Sequence, residues 1–177
     1  MRIDADAPLS RGIVYRWWTI ECPWCRQSLP ALEQLRKDYA LRGIQVVAVF
    51  HPKPPRPIAP EAIAAEAKAL GFNGPVAIDA DWSELERLVG APRGLSATSV
   101  TVVLDPSRRM VHAHKGPVFF PSADVSKAKE NAGYVGLQQA VEHLATPKPS
   151  SVPGLPAGGG AAVSDTTAGA RLSSPYG

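Results

Sequence analysis

The sequence predicts an α/β fold in which a central mixed sheet is flanked by helices and followed by a C-terminal β-hairpin and helix. Three observations support it. Segments rich in β-branched and aromatic residues alternate with segments of helical periodicity. The two cysteines fall where the first strand pattern changes to a helix pattern. Two late β-branched segments are joined by a short turn. The 177 residues suffice for one well-buried domain and are too few to expect two.

The first half of the chain predicts two buried strands around a long helix. Ile13 to Thr19 is rich in β-branched and aromatic residues. Leucines at helical spacing predict a helix from Pro23 to Arg42, which Pro30 should kink because it removes a hydrogen bond. The apolar run Ile44 to Phe50 predicts a central parallel strand. The proline-rich segment His51 to Pro57 predicts an extended, solvated loop, either a rim that selects partners or a plain connection.

The second half predicts shorter elements from the same periodicities and from Gly and Pro stop signals. They are helices at 61–70 and 82–89, strands at 75–79, 98–104 and 110–114, an irregular stretch at 116–133, and a last helix marked by Tyr134, Leu137, Val141 and Leu144.

From Thr146 onward the composition changes to Pro, Gly, Ser, Thr and Ala. Such a segment has too little large apolar surface to offset its ordering entropy. We therefore expect one domain at 1–145 and a disordered tail at 146–177.

The charge and hydropathy patterns exclude several classes of partner. A net charge of +3 without a Lys/Arg cluster gives no indication of nucleic acid binding. No apolar run approaches the roughly 18 residues of a membrane span. Met1 to Arg11 carries acids and no apolar core, unlike a signal peptide. The sequence as written predicts a cytoplasmic protein, or an extracytoplasmic one if an export signal has been removed.

Cys22 and Cys25 carry the chemistry that the sequence predicts. Pro23 suits the first position of a helix, so Cys22 falls at the N-terminal end, where amide groups and the helix dipole stabilise a thiolate. Thiols in such settings titrate at roughly 3.5–7.5, compared with about 8.5 for a free cysteine. We expect Cys22 to attack a disulfide and Cys25 to resolve the mixed disulfide. Pro23 and Trp24 should stiffen the motif and give its rim an apolar face for a partner protein.

The residues alone leave two other uses of this pair open. A single C-x-x-C is half of a tetrahedral zinc site, which needs two more ligands, and His112 with His114 is the only closely spaced histidine pair. A structural disulfide is also possible, although so short a loop adds little entropic stabilisation. On one strand the two histidines would share a face, where we expect them to be solvated rather than functional.

The element order, with C-P-x-C at the first strand–helix junction, resembles the thioredoxin fold, and within it the TlpA-like and peroxiredoxin-like redoxin branch. The segment from Arg16 to Cys25 is similar to the thioredoxin signature, with Trp18 at the family tryptophan. Pro30 matches the family's helix-kinking proline, and residues 102–111 match its late hairpin. The resemblance covers 12–145. It implies exchange with protein disulfides or dithiols, a reductant or oxidant it does not identify, and no organic or metal cofactor.

Three positions depart from that family pattern. Ser99 stands where the family has a cis-proline that holds substrate, so Thr98 and Ser99 are the candidate substrate-binding pair. We expect Ser99 to be trans, because a non-proline cis bond costs about 2.5–4 kcal/mol. Arg16 replaces the buried acid that assists the second cysteine. It would either favour a nearby thiolate or, as we expect, form a salt bridge with Glu21 or another surface acid. The lead-in before Ile13 is too short for the β-hairpin that often starts TlpA-like domains.

The sequence thus predicts a thioredoxin-like thiol–disulfide oxidoreductase. One alternative is a peroxiredoxin-like peroxidase, in which Cys22 attacks a peroxide and Cys25 resolves the sulfenic acid. The other is a non-enzymatic metal-binding or scaffold module that uses the same dithiol.

Overall fold

Five strands form the central sheet of the computed structural model, which describes residues 11–90 and 99–146. They are β1 (Gly12–Trp18), β2 (Ile44–Phe50), β3 (Val76–Ile78), β4 (Val100–Leu104) and β5 (Met110–Lys115). Their spatial order is β3-β2-β1-β4-β5. β1, β2 and β3 run parallel, whereas β4 is antiparallel to β1 and to β5. The predicted mixed sheet with a late hairpin is therefore confirmed.

The helices are α1 (Pro23–Gln27), α2 (Leu29–Tyr39), α3 (Pro60–Ala69), α4 (Ser83–Val89) and α5 (Ala128–Ala145), with 3₁₀ turns at Ala40–Arg42 and Val125–Lys127. The predicted first helix is not one kinked helix but two, separated at Ser28. Pro30 takes the first turn of α2, where its missing N–H leaves no bond unmade. A continuous helix would have forced its ring against the preceding turn, so the chain stops and restarts.

The predicted irregular stretch at 116–133 is wrong for its last six positions, which belong to α5. Tyr134 is the first buried residue of that helix. The turns before it are exposed or half-buried, so no apolar periodicity marks the start of the helix in the sequence.

Apolar side chains cover both faces of the sheet, because successive residues of a strand point to opposite sides. One face packs against α1, α2, α3 and α5 through a cluster that includes Val14, Trp18, Cys25, Leu29, Leu32, Val46, Phe50, Phe119 and Leu137. The other packs against α4 through Tyr15, Trp17, Val47, Val49, Leu85, Leu88 and Val102. The prediction that β2 is covered on both sides is confirmed.

The described residues all lie in one compact unit. The predicted tail, the lead-in 1–10 and the segment 91–98 lie outside the described residues, so the proposed boundary at 145 stays a prediction. In the part of the chain that is described, none of the helices has the length and apolar character needed to traverse a membrane.

Candidate active site at the cysteine pair

Cys22 caps the helix that carries the motif. After β1 ends at Trp18, a short turn leads to Cys22, whose backbone is extended and whose Sγ accepts the N–H of Cys25 at 3.2 Å. The Cys22 carbonyl accepts the same N–H at 3.1 Å. Pro23 occupies the first turn of α1. The sulfur of Cys22 therefore lies where an amide hydrogen points at it, as the stabilisation of a thiolate requires.

The two sulfurs form a disulfide, with the Cα atoms 5.3 Å apart, and their surroundings differ sharply. Cys25 is fully buried, whereas Cys22 is half-buried. Pro23 is exposed, and Trp24 is 58% exposed. The rim of the motif thus presents an apolar surface to solvent, whereas the sulfur of Cys25 is shielded from solvent.

This difference predicts the order of alkylation in the reduced protein. At pH 7 we expect iodoacetamide to modify Cys22 several times faster than Cys25, because only Cys22 combines access with an amide donor. Peptide mass spectrometry of briefly labelled protein, quenched with acid, measures the ratio. Faster labelling of Cys25 would reverse the two roles.

Ser99 contacts the deeper cysteine. Its Oγ lies 3.0 Å from Cys25 Sγ, and since a disulfide sulfur carries no hydrogen, the Ser99 hydroxyl is the donor. The Ser99 carbonyl accepts the N–H of Gly116 at 3.2 Å. Thr98 lies outside the described residues. The trans geometry of the Thr98–Ser99 peptide and the role of these residues in substrate binding therefore stay predictions.

Arg16 contradicts the expected salt bridge with Glu21 or another surface acid. It is fully buried on the same face of β1 as Val14 and Trp18, whereas exposed Glu21 pairs with Arg56 at 2.5 Å. The guanidinium donates to Thr101 Oγ1, Ser28 Oγ and the carbonyl oxygens of Gly116 and Pro117, at 3.2, 3.4, 3.1 and 2.5 Å. Its position between two inward-facing apolar residues of a buried strand is the signal in the sequence that could have revealed this burial.

His112 and His114 were expected to be solvated, and this is wrong. Both are half-buried against α5, and the Nε2 atom of each is buried without a partner among the described residues. A Cβ at Gly133 would lie 2.5 Å from the His114 ring, and one at Gly136 would lie 3.5 Å from the His112 ring. Burial lowers the pKa of both histidines. Glycines spaced by three on α5 make the room that these rings occupy.

His51 is a buried residue that sequence reasoning placed in a solvated loop. Its N–H donates to the Trp18 carbonyl at 3.1 Å, which continues the pairing of β2 with β1. The ring is fully buried, lies edge-on to Trp82 with centroids 5.4 Å apart, and has no hydrogen-bond partner at either nitrogen in the described structure. Burial, with the charges of Lys53 and Arg16, lowers its pKa to about 4. The prolines after His51 obscured the last residue of the strand pattern.

A separate concavity of about 390 Å³ opens on the α4 face of the sheet. Tyr15, Trp17, Asp79, Arg87 and Arg108 are among its lining residues, and the cysteine pair is not. Residues 11–90 and 99–146 contain no group of three or more His, Cys, Asp or Glu side chains arranged to hold a metal ion.

Comparison with solved structures supports the fold. A hypothetical protein from Sinorhizobium meliloti 1021 is 25% identical, with a TM-score of 0.56 and coverage of 77% of this chain and 70% of that one. A thiol:disulfide interchange protein of the thioredoxin family from Chlorobium tepidum TLS is 19% identical, with a TM-score of 0.53 and coverage of 76% and 80%. The pneumococcal exposed lipoprotein thioredoxin Etrx1 from Streptococcus pneumoniae TIGR4 is 18% identical, with a TM-score of 0.53 and coverage of 76% and 85%.

Comparison with curated proteins finds no matching sequence. The family model described as Redoxin matches residues 9–130, which is well over half of the chain and includes both cysteines, Arg16 and Ser99. The thioredoxin-like fold and the disulfide at the first strand–helix junction agree with that match. The chain therefore belongs to the Redoxin family.

Proposed function

We propose that this chain is a thiol–disulfide oxidoreductase that exchanges its Cys22–Cys25 pair with disulfides or dithiols of other proteins. The observation that carries the proposal is the asymmetry of the pair. One sulfur is accessible at a helix N-terminus, and the other is buried one turn away within bonding reach. Exchange chemistry needs an accessible nucleophile and a protected resolving thiol. Both are present at the Cys22–Cys25 pair, and the proposed exchange calls for no organic or metal cofactor.

In the reducing direction the thiolate of Cys22 attacks one sulfur of the substrate disulfide. A mixed disulfide forms, and the other substrate sulfur leaves as a thiolate that takes a proton from solvent. Cys25, deprotonated, then attacks the Cys22 sulfur and releases the second substrate thiolate. Two electrons pass to the substrate, and the Cys22–Cys25 bond is restored. The Ser99 hydroxyl, 3.0 Å from Cys25 Sγ, is placed to donate to the Cys25 thiolate during that second step.

The exposed apolar surface of Pro23 and Trp24 supports protein rather than small-molecule substrates, since an indole 58% exposed contributes most when a partner covers it. The Glu21–Arg56 ion pair joins the turn before Cys22 to the proline-rich loop after β2 and adds charged groups of both signs. We propose Ser99 and Thr98 as further contacts for the substrate backbone. Location stays a prediction; the likeness to an exposed lipoprotein thioredoxin favours the extracytoplasmic alternative.

A trapping experiment tests this function. Cys25→Ser should accumulate mixed disulfides with insulin or another protein that contains a disulfide. The Cys22 thiolate attacks the substrate disulfide, and no second thiol is present to resolve the product. Cys22→Ser is the matched control, and it should trap little because Cys25 is buried. Wild type should reduce insulin with dithiothreitol as the electron source, and both variants should fall to the background rate.

Two outcomes would replace the proposal. Turnover of hydrogen peroxide by wild type, with no effect on insulin, would favour the peroxidase. Stoichiometric zinc in freshly purified reduced protein, together with a failure of Cys25→Ser to trap a substrate, would favour the metal-binding module.

A further inference from the structure

Arg16 is a fully buried cation whose described partners are all neutral. Its hydrogen bonds go to two hydroxyls and two carbonyl oxygens, and its Cζ lies 5.1 Å from the centre of the Phe119 ring. None of the ion pairs among the described residues involves it. Its Nε is buried without a partner there. Burial lowers its pKa to about 9, so the group is still charged at neutral pH.

Such a charge is costly. Moving an ion out of water costs several kcal/mol even after the protein relaxes, unless an opposite charge compensates it. Hydrogen bonds to neutral acceptors and contact with an aromatic face offset part of that desolvation free energy. A buried guanidinium held in this way will stabilise any anion that forms close by, because little water intervenes to screen the attraction.

Two chains of contacts connect the guanidinium to the cysteine pair. The first chain passes through Ser28, which follows α1. Its Oγ accepts from Arg16 at 3.4 Å, and its N–H donates to the Cys25 carbonyl at 3.2 Å. Through Thr101 the guanidinium reaches β4, two residues from Ser99, whose hydroxyl contacts Cys25 Sγ. Arg16 thus lies beneath the motif, on the face of the sheet that buries Cys25.

We propose that Arg16 is the buried counter-ion of the thiolate that forms when the Cys22–Cys25 disulfide is reduced, and that it shifts the dithiol–disulfide equilibrium toward the reduced form. This deepens the proposed function and rests on the pair being redox-active. The disulfide is neutral, so the oxidised protein leaves the cation uncompensated. Reduction supplies the missing negative charge. Arg16 acts through its field, as a positioning residue rather than a reacting group.

The dithiol–disulfide equilibrium of the Cys22–Cys25 pair is measured by exchange with glutathione. Two glutathione thiols reduce the protein disulfide: the Cys22–Cys25 bond breaks, the disulfide bond of oxidised glutathione forms, and two electrons pass to the protein sulfurs. Of the two thiol protons, one stays on the protein and the other goes to solvent wherever one protein sulfur remains a thiolate. The equilibrium constant therefore contains the stability of that thiolate.

We expect Arg16→Met to shift this equilibrium at least tenfold toward the disulfide, equivalent to about 30 mV. The thiolate absorbance at 240 nm of the reduced variant should titrate with a midpoint at least one pH unit above that of wild type. Arg16→Lys keeps the charge but loses the planar fork, and it should recover part of both shifts. Because Arg16 is fully buried, raising KCl from 0.1 to 1 M should change the difference between Arg16→Met and wild type little.

Arg42→Met is the matched control, since it removes the same charge from an exposed pair with Glu142. Arg42 ends a 3₁₀ turn just before β2, and the seven residues of β2 place it roughly 20 Å from the carboxyl edge of the sheet. Its equilibrium constant with glutathione should stay within twofold of wild type. Urea unfolding of every oxidised variant checks the fold. If Arg16→Met does not fold, Arg16→Lys and Arg16→Gln are compared in its place.

Equal equilibrium constants and equal thiolate midpoints for wild type and Arg16→Met or Arg16→Gln would overturn the inference, as would a shift matched by Arg42→Met. These measurements need no protein substrate. If wild type fails to reduce insulin but the Arg16 shift is present, the proposed function fails and the counter-ion role stands. If insulin is reduced normally and the shift is absent, only the counter-ion role fails.

Discussion

Replacing Phe119 by alanine is expected to lower the free energy of unfolding by about 3–5 kcal/mol. The ring is fully buried, contacts the guanidinium of Arg16, and lies edge-on to His114 with centroids 5.4 Å apart. Its removal leaves a cavity beside a buried charge, so lost apolar contacts and a lost cation–π contact combine. Urea denaturation of the oxidised protein, followed by far-UV circular dichroism, measures the change.

The neighbouring Phe120 supplies the control for that experiment, because it is only half-buried at the edge of the same cluster. Phe120→Ala should cost clearly less than Phe119→Ala. Phe119→Leu, which keeps most of the volume, should cost under about 1.5 kcal/mol. Equal losses for the two alanine variants would show that the Phe119 site collapses around the smaller side chain.

Acidification from pH 6.5 to pH 4 is expected to remove roughly 3 kcal/mol of unfolding free energy through His51 alone. Burial, with the charges of Lys53 and Arg16, lowers its folded pKa to about 4 from an ordinary value of 6.5, and Glu21 opposes the shift. Between those two values the unfolded chain binds a proton that the folded chain does not. Stability therefore falls as the pH falls through this window, and the loss from His51 levels off below pH 4.

His51→Phe isolates this contribution. The substitution removes two buried nitrogens that have no described partner and keeps the ring against Trp82, so stability at pH 7.5 should be equal or higher. The variant should lose roughly 3 kcal/mol less than wild type between pH 6.5 and 4. The lowered pKa values of His112 and His114 act in the same direction in both proteins. Parallel stability curves for wild type and variant would rule out His51 as the acid-sensitive group.

The sequence predicted the strands closely because their signals are local. The β-branched run after residue 12 and the apolar run 44–50 give strand and burial together, and the observed bounds of β2 agree with the prediction. The cysteine motif was equally local, since strand, Pro23 and the leucines of the following helix all lie within one short stretch. Helix boundaries were predicted less closely. Pro30 is compatible with a kinked helix or with the start of a second helix, and the first residues of α5 are not buried.

The buried polar groups make their contacts with residues that are distant in the sequence. Arg16 receives its acceptors from Thr101, Gly116 and Pro117, which are 85 to 101 residues away in the chain. His51 is covered by Trp82, and His114 by Gly133. A pattern of neighbours in the sequence identifies which side of a strand such a residue faces, but not which distant segment covers it.

These long separations in the sequence also affect synthesis on the ribosome. Pro117 follows Arg16 by 101 residues, and Ser99 follows Cys25 by 74. At roughly 5–20 residues per second, both cysteines emerge several seconds before the segments that cover Arg16 and contact Cys25. In a nascent chain Cys25 therefore has neither its Ser99 contact nor a fully enclosed Arg16 nearby until the hairpin of β4 and β5 has been synthesised.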